Sequence, residues 1–457
     1  MLLCAEYVLP ITSDPIEAGA VLISEGRIRD IGPVEQLRAR YANEEIRDFG
    51  QAAILPGFVN AHCHMEYTVL RGMMHDEPYA TWMGRVSALS STLNAADLYD
   101  STLIGGLESI ASGITCAANI ASSEPAVRAM NDLGMRGIAY REVGAMDGRR
   151  VNYAMRQAIE DIESWRGMVD GDLLQIGIAP APLYECHPRV FTEAAKYAAD
   201  TTPLAMHVAS SREEYAFIKY GRTPFSVDAM KRRGYMEVPP WLPTGATPVN
   251  YALNWGAFEA ENVTVVHGVH VRWDDIQKLR QYGVGVAHCP RCNANLGMGV
   301  APIEEYMKAG MAIGLGTDSP AATDSTDIFA EMRIGMMVQR AVSSETNWFI
   351  SSHDLLEMAT IGGARTMHID DKVGSLEVGK MADIIAVDLS GSHSTPTNDP
   401  CAAVVNTATP NDVLMTMVGG KALYDQGKWN IQAPFGSSVA QMIKTRTRLR
   451  RQCADTL

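Results

Sequence analysis

The sequence predicts an α/β fold, a (β/α)8 barrel carrying a small β-sandwich built from both termini. Two patterns predict it: strand-like and helix-like segments alternate through the middle of the chain, and strand signals stand at both ends. A third observation agrees with them. His62, His64, His207, His267 and Asp318 each stand at or just beyond the end of a short apolar run. A parallel barrel places the C-terminal ends of all its strands on one rim. Residues more than two hundred positions apart can therefore converge there.

Residues 1 to about 55 hold short strands with turn signals, at Ala20–Ile23, Gly26–Gly32 and Ile54–Leu55, before the Pro56-Gly57 break. A matching β unit lies in 379–388 and 413–424. The expected sandwich takes 1–58 and 372–457, and the barrel takes 59–371. Eight barrel strands are expected at 58–61, 113–119, 136–140, 173–179, 204–208, 263–266, 284–287 and 312–316. Eight units in about 310 residues suit the barrel with insertions. Two long connections, from His64 to about Ala96 and from Ser210 to Glu261, belong on the rim, where such loops shape pockets.

Composition narrows the function. The chain has 457 residues, 47% apolar and 20% charged, which is ordinary for a globular protein. No apolar run approaches the roughly 20 residues of a membrane helix, and Met1–Tyr7 does not read as a signal peptide. A net charge of −14 argues against nucleic acid as a partner. The basic run Lys444–Arg451 reads as a solvated helix face, with contact to an acidic neighbouring subunit as the alternative. A homo-oligomer acting on a small molecule is expected. Eight scattered cysteines point to a reduced cytoplasm rather than a disulfide framework. Cys289 and Cys292 form a lone C-x-x-C, read as two ordinary loop cysteines.

Three or four imidazoles with one carboxylate suit one divalent ion, zinc first and iron second, with a position left for water. No bridging lysine for a second ion is evident. The set points to metal-assisted hydrolysis.

The stretches Pro56-Gly-Phe-Val-Asn-Ala-His-Cys-His64, His267-Gly-Val-His270, His288-Cys-Pro-Arg-Cys-Asn293, and Gly316-Thr-Asp318 through Phe329-Ala-Glu-Met-Arg333 resemble the amidohydrolase superfamily. Within it the chain is similar to the branch of cytosine- and adenosine-type deaminases, aminodeoxyfutalosine deaminases, and s-triazine and phenylurea hydrolases. The resemblance implies that His62, His64, His207 and Asp318 hold the metal. It implies that His267 contacts the attacking water or is a further ligand, and that Asp318 accepts the water's proton.

Three departures accompany it. Deaminases of this branch carry His-x-x-Glu after the fifth strand, and here Ser210 takes the glutamate's place. Pro180-Ala-Pro-Leu-Tyr184 lacks a histidine common there, and Ala322 stands where a pocket serine is common. A heterocyclic amidine carbon needs its ring nitrogen protonated, which the glutamate does. Ser210 cannot. A true carbonyl can be polarised directly by the metal, by His267 or by His270.

The expectation is therefore hydrolysis of a carbonyl C–N bond, with a phenylurea-type aryl compound as the most specific guess. Asp318, His267 and His270 are the expected catalytic residues. Deamination or displacement on a heterocycle is the first alternative, with Glu213 or Glu66 as substitute acid. A non-catalytic metal-binding protein is the second. Ser210, Glu66, Met74, Trp82 and Ala322 are the expected substrate contacts. The chain has 25 methionines, and those near Met74 suit a flat apolar ligand; Trp241 and Trp255 could stack on a ring.

Overall fold

The computed structural model describes residues 1–199, 201–221, 243–343, 348–431 and 434–454. Its N-terminal strands are β1 (Leu2–Val8), β2 (Ile16–Ser24), β3 (Arg27–Pro33), β4 (Ile46–Asp48) and β5 (Ala52–Pro56). Eight parallel strands follow: β6 (Phe58–Cys63), β7 (Ile114–Ala121), β8 (Arg136–Val143), β9 (Leu174–Pro180), β10 (Leu204–Val208), β11 (Val263–His267), β12 (Gly285–His288) and β13 (Ile313–Leu315). They run in sequence order around a nearly closed barrel. All eight expected strands are present. β6 and β7 are buried at every residue, as strands covered on both faces must be.

Closure brings the first strand to the last. Cys63 pairs with Asp318 in a parallel bridge, and Asp318 N donates to His62 O at 3.0 Å. A Cβ on Gly314 would stand 2.7 Å from Gly363 Cα and 2.8 Å from Ala61 Cβ. Only glycine allows β13 to lie this close.

The strands β14 (Ile384–Asp388), β15 (Val413–Val418), β16 (Lys421–Asp425) and β17 (Lys428–Trp429) join β1–β5 in one nine-stranded sheet. β14 bridges the two ends by pairing with β5. Residues from both termini, among them Leu3, Val21, Ile54, Ile384 and Met415, share one apolar core. A buried ion pair ties this sheet to the barrel. Arg136 Nε reaches Asp383 Oδ2 at 2.6 Å, and its second guanidinium nitrogen reaches Oδ1 at 3.1 Å. Asp383→Ala would leave that buried guanidinium without its counter-charge, with only the Asp172 carbonyl at 2.7 Å as acceptor. It is expected to cost about 3–5 kcal/mol, read by urea unfolding.

The helix Phe435–Ala454 packs on the barrel helix Ala95–Ala111. Arg448 meets Asp97 at 2.6 Å and Thr445 Oγ1 donates to the same carboxylate at 2.5 Å. The basic run thus spends part of its charge within its own chain, while Lys444, Arg450 and Arg451 are exposed. Among the described residues no helix is long and apolar enough to cross a membrane.

Candidate active site

The strand period of two puts His62 and His64 on one side of β6 and its end. His207 stands in β10, His267 closes β11, and Asp318 lies just past β13. His267 and Asp318 have left-handed backbones, with φ of 71° and 55°. Such turns at a strand end re-aim a side chain over the barrel mouth.

All five side chains meet. Asp318 Oδ1 lies 3.5 Å from His62 Nε2 and 3.8 Å from His64 Nε2, and Oδ2 lies 3.7 Å from His267 Nε2. The His207 ring centroid is 4.9 Å from that of His62 and 5.6 Å from that of His267. Two asparagines inside the quoted motifs hold the set, and their part was not foreseen. Asn293 Oδ1 lies 2.9 Å from His267 Nδ1. An amide oxygen accepts, so Nδ1 carries the proton and Nε2 faces the site with its lone pair. Asn60 Nδ2 donates to Thr317 Oγ1 at 2.8 Å, and Thr317 N donates back to Asn60 Oδ1 at 3.0 Å, tying the H-x-H strand to the Asp318 turn.

The donor set fits a divalent ion. Ligand atoms of His62, His64 and His207 lie within 4.8 Å of one another, as do those of His267, Cys289 and Asp318. His62 Nε2 is buried without a hydrogen bond. An orphan imidazole nitrogen aimed at a carboxylate and three other imidazoles is what a cation would satisfy. Burial pushes His64 down to about 3 and His267 to about 4, so both are neutral, as metal ligands must be. Burial alone would raise the Asp318 carboxyl. The imidazoles of His62, His267 and His64 outweigh it and hold Asp318 well below the usual carboxylate range. Cys289, read from sequence as a loop cysteine, is buried beside this group, and burial keeps its thiol protonated.

A cavity of about 200 Å³ opens on these residues. Its walls include Tyr67, Tyr79, Trp82, Met83 and Val86, with Glu142, Glu185 and Ser319. Tyr67 stacks on His64 at 5.7 Å between centroids. Trp82, expected as a substrate contact, lines the cavity, its Nε1 donating to Ala321 O at 3.2 Å.

The other expected contacts do not reach the cavity walls. Glu66 is buried and turned to Ser122, whose N and Oγ donate at 3.0 and 3.1 Å; burial lifts its pKa to about 7. Ser210, two residues past the end of β10, is fully buried and is not part of the wall. Met74 belongs to the hydrophobic core. Ala322 turns its carbonyl to Asn295 Nδ2 at 3.1 Å, while Ser319 takes the wall position expected near it. His270, expected to be catalytic, has Nε2 on Met298 O at 2.7 Å and stands away from the wall. The acid beside Ser210 is Glu214, not Glu213. Trp255 is exposed at a helix end, and Trp241 lies outside the described residues.

A model of the amidohydrolase family matches residues 53–423, which span the barrel and strands β5, β14, β15 and part of β16 of the terminal sheet. The chain belongs to the amidohydrolase family. A shorter match, at 19–42, is to the imidazolonepropionase-like composite domain of bacteria. This amidohydrolase is 31% identical over 425 residues to a 5-methylthioadenosine/S-adenosylhomocysteine deaminase of Symbiobacterium thermophilum, covering 92% of each chain. It is 30% identical over 427 residues to the Moorella thermoacetica protein of that name, covering 92% of this chain and 93% of the other. In fold it is similar to a zinc-bound adenosine deaminase from Xanthomonas campestris, with TM-score 0.84 at 24% identity and 98% of each chain covered. It also resembles the zinc complex of an atrazine chlorohydrolase from Arthrobacter aurescens, with TM-score 0.81 at 22% identity, covering 97% of this chain and 99% of that one. Membership makes the amidohydrolase a hydrolytic enzyme acting on C–N bonds. The two sequence relatives named are deaminases, so they support the deaminase-type branch and give the phenylurea expectation no specific support.

Proposed function

We propose that this amidohydrolase cleaves the carbonyl C–N bond of a flat, uncharged substrate such as an aryl urea or anilide. One divalent ion, zinc before iron, would be held by His62, His64, His207, His267 and Asp318. The observation that carries the reading is the pair Ser210 and Glu214. A hydroxyl occupies the deaminase acid's place, and the nearest buried acid spends both oxygens on the backbone N–H groups of Ala209 and Ser210.

When bound, the ion supplies Lewis acidity, which makes water a nucleophile at neutral pH. Asp318 takes the proton from the attacking water and hands it to the leaving nitrogen. His267, its Nδ1 proton held by Asn293 Oδ1, would offer the Nε2 lone pair to the ion as a ligand. The Tyr67 and Trp82 rings give an aryl group an apolar wall.

The relatives favour a second reading, in which ammonia leaves a purine carbon. Glu142 or Glu185 of the cavity wall would then protonate the ring. Variants at Ser210 separate the two. Ser210→Ala is expected to keep aryl-amine release within a factor of about 2, because Ser210 does not line the cavity. Ser210→Glu sets a carboxylate beside Glu214, where like charges repel, and is expected to slow that release. Faster turnover in Ser210→Glu, with ammonia as its product, would replace the first reading by the second.

A further inference from the structure

We propose that Glu214 is a positioning residue for the metal centre, clamping the turn after His207 and, through it, the turn after His267. The carboxylate is fully buried and bent back over the start of its own helix, Arg212–Tyr220. Oε1 accepts from Ala209 N at 2.7 Å and Oε2 from Ser210 N at 2.8 Å. A glutamate at the third position of a helix ordinarily returns to the N–H of the capping residue. Here the cap is Ser211, whose Oγ accepts from Glu214 N at 3.2 Å. The carboxylate makes its two short bonds to the two residues before, with the Ser211 backbone also beside it. The serine caps the helix, and the glutamate serves the turn.

That turn needs holding. Ala209 has φ +57°, a left-handed conformation that its Cβ disfavours. Glu214 takes its N–H, and its carbonyl accepts from Val269 N and His270 N, each at 2.9 Å. Gly268 N also donates to Val208 O at 3.2 Å. One carboxylate thus fixes a backbone junction shared by two imidazole-bearing strand ends. Outer partners of this kind keep ligands in binding geometry. The inference rests on the metal-dependent reading above, not on the identity of the substrate.

The test is a zinc competition titration of chelator-stripped protein, with thermal unfolding of the same samples. The proteins are the wild type, Glu214→Gln, Ser211→Ala and the double variant Ala209→Gly/Glu214→Gln. The amide keeps the shape but sets an NH2 against a backbone N–H. Glu214→Gln is expected to weaken zinc binding roughly 10–100-fold, as loss of an outer partner does. Ser211→Ala should lower the Tm and leave zinc affinity unchanged. The double variant should recover affinity, because glycine takes a left-handed turn without strain. Should Glu214→Gln alone not fold, recovery of folding and affinity by the added glycine supports the clamp equally. Wild-type affinity in Glu214→Gln, or an equal loss in Ser211→Ala, would reduce Glu214 to a helix cap and overturn the proposal. So would failure of both glutamine variants to fold. A wild type that binds no zinc would sink the metal-dependent reading itself, a distinguishable result.

Discussion

Asp318→Asn is expected to lower turnover by at least about 100-fold, the lower end of a general base's contribution, with the fold intact. An amide has no lone pair basic enough to take a proton at neutral pH. The carboxylate it replaces lies well below the usual carboxylate range, so it is ionised throughout the neutral range. Shape is conserved, and the amide oxygen can still accept from Ser319 N, now at 2.7 Å from Oδ1. Turnover, zinc content and circular dichroism should be read together, since Asp318 also belongs to the proposed ligand set. Near-native turnover would remove Asp318 from the mechanism. Lost zinc with lost turnover would show that binding, rather than proton transfer, is what the substitution removed.

His207→Ala is expected to be as severe by another route. Its ring lies within 5.7 Å, centroid to centroid, of those of His62, His64 and His267. No other described side chain from β10 enters the donor cluster. Losing an outer partner of a metal ligand costs roughly 10–100-fold in affinity; losing the ligand should exceed that. Turnover should fall with occupancy and return only partly at high zinc. Wild-type zinc affinity in His207→Ala would break the five-residue set.

The barrel was legible because its strands are short buried runs bounded by glycine, proline and polar turns, and burial on both faces leaves apolar residues in sequence. The convergence of His62, His64, His207, His267 and Asp318 was legible because each ends such a run. The cavity wall was less so. Tyr67 and Ser319 reach it through turns that follow a strand end, and beyond the last ladder residue the period of two no longer says where a side chain points. Glu66, Ser210 and Ala322 were misplaced for that reason. His270 was misplaced because Gly268, at φ +54°, turns the chain away just after His267. Glu213 and Glu214 differ by one residue, about 100° around a helix, which leaves one half-buried and the other fully buried. The signal was present, since Ser211-x-x-Glu214 has the capping-box spacing. The glutamate's reach past its own cap depends on the left-handed Ala209, which no local pattern announces.

The most direct measurement offers purified, zinc-loaded protein an N-aryl urea and an aminated purine nucleoside at equal concentration, and follows aryl amine and ammonia. Carbonyl hydrolysis gives aryl amine, at a turnover on the order of 1–1,000 per second, and no ammonia from the purine. Ammonia from the nucleoside, with the aryl urea untouched, would contradict it.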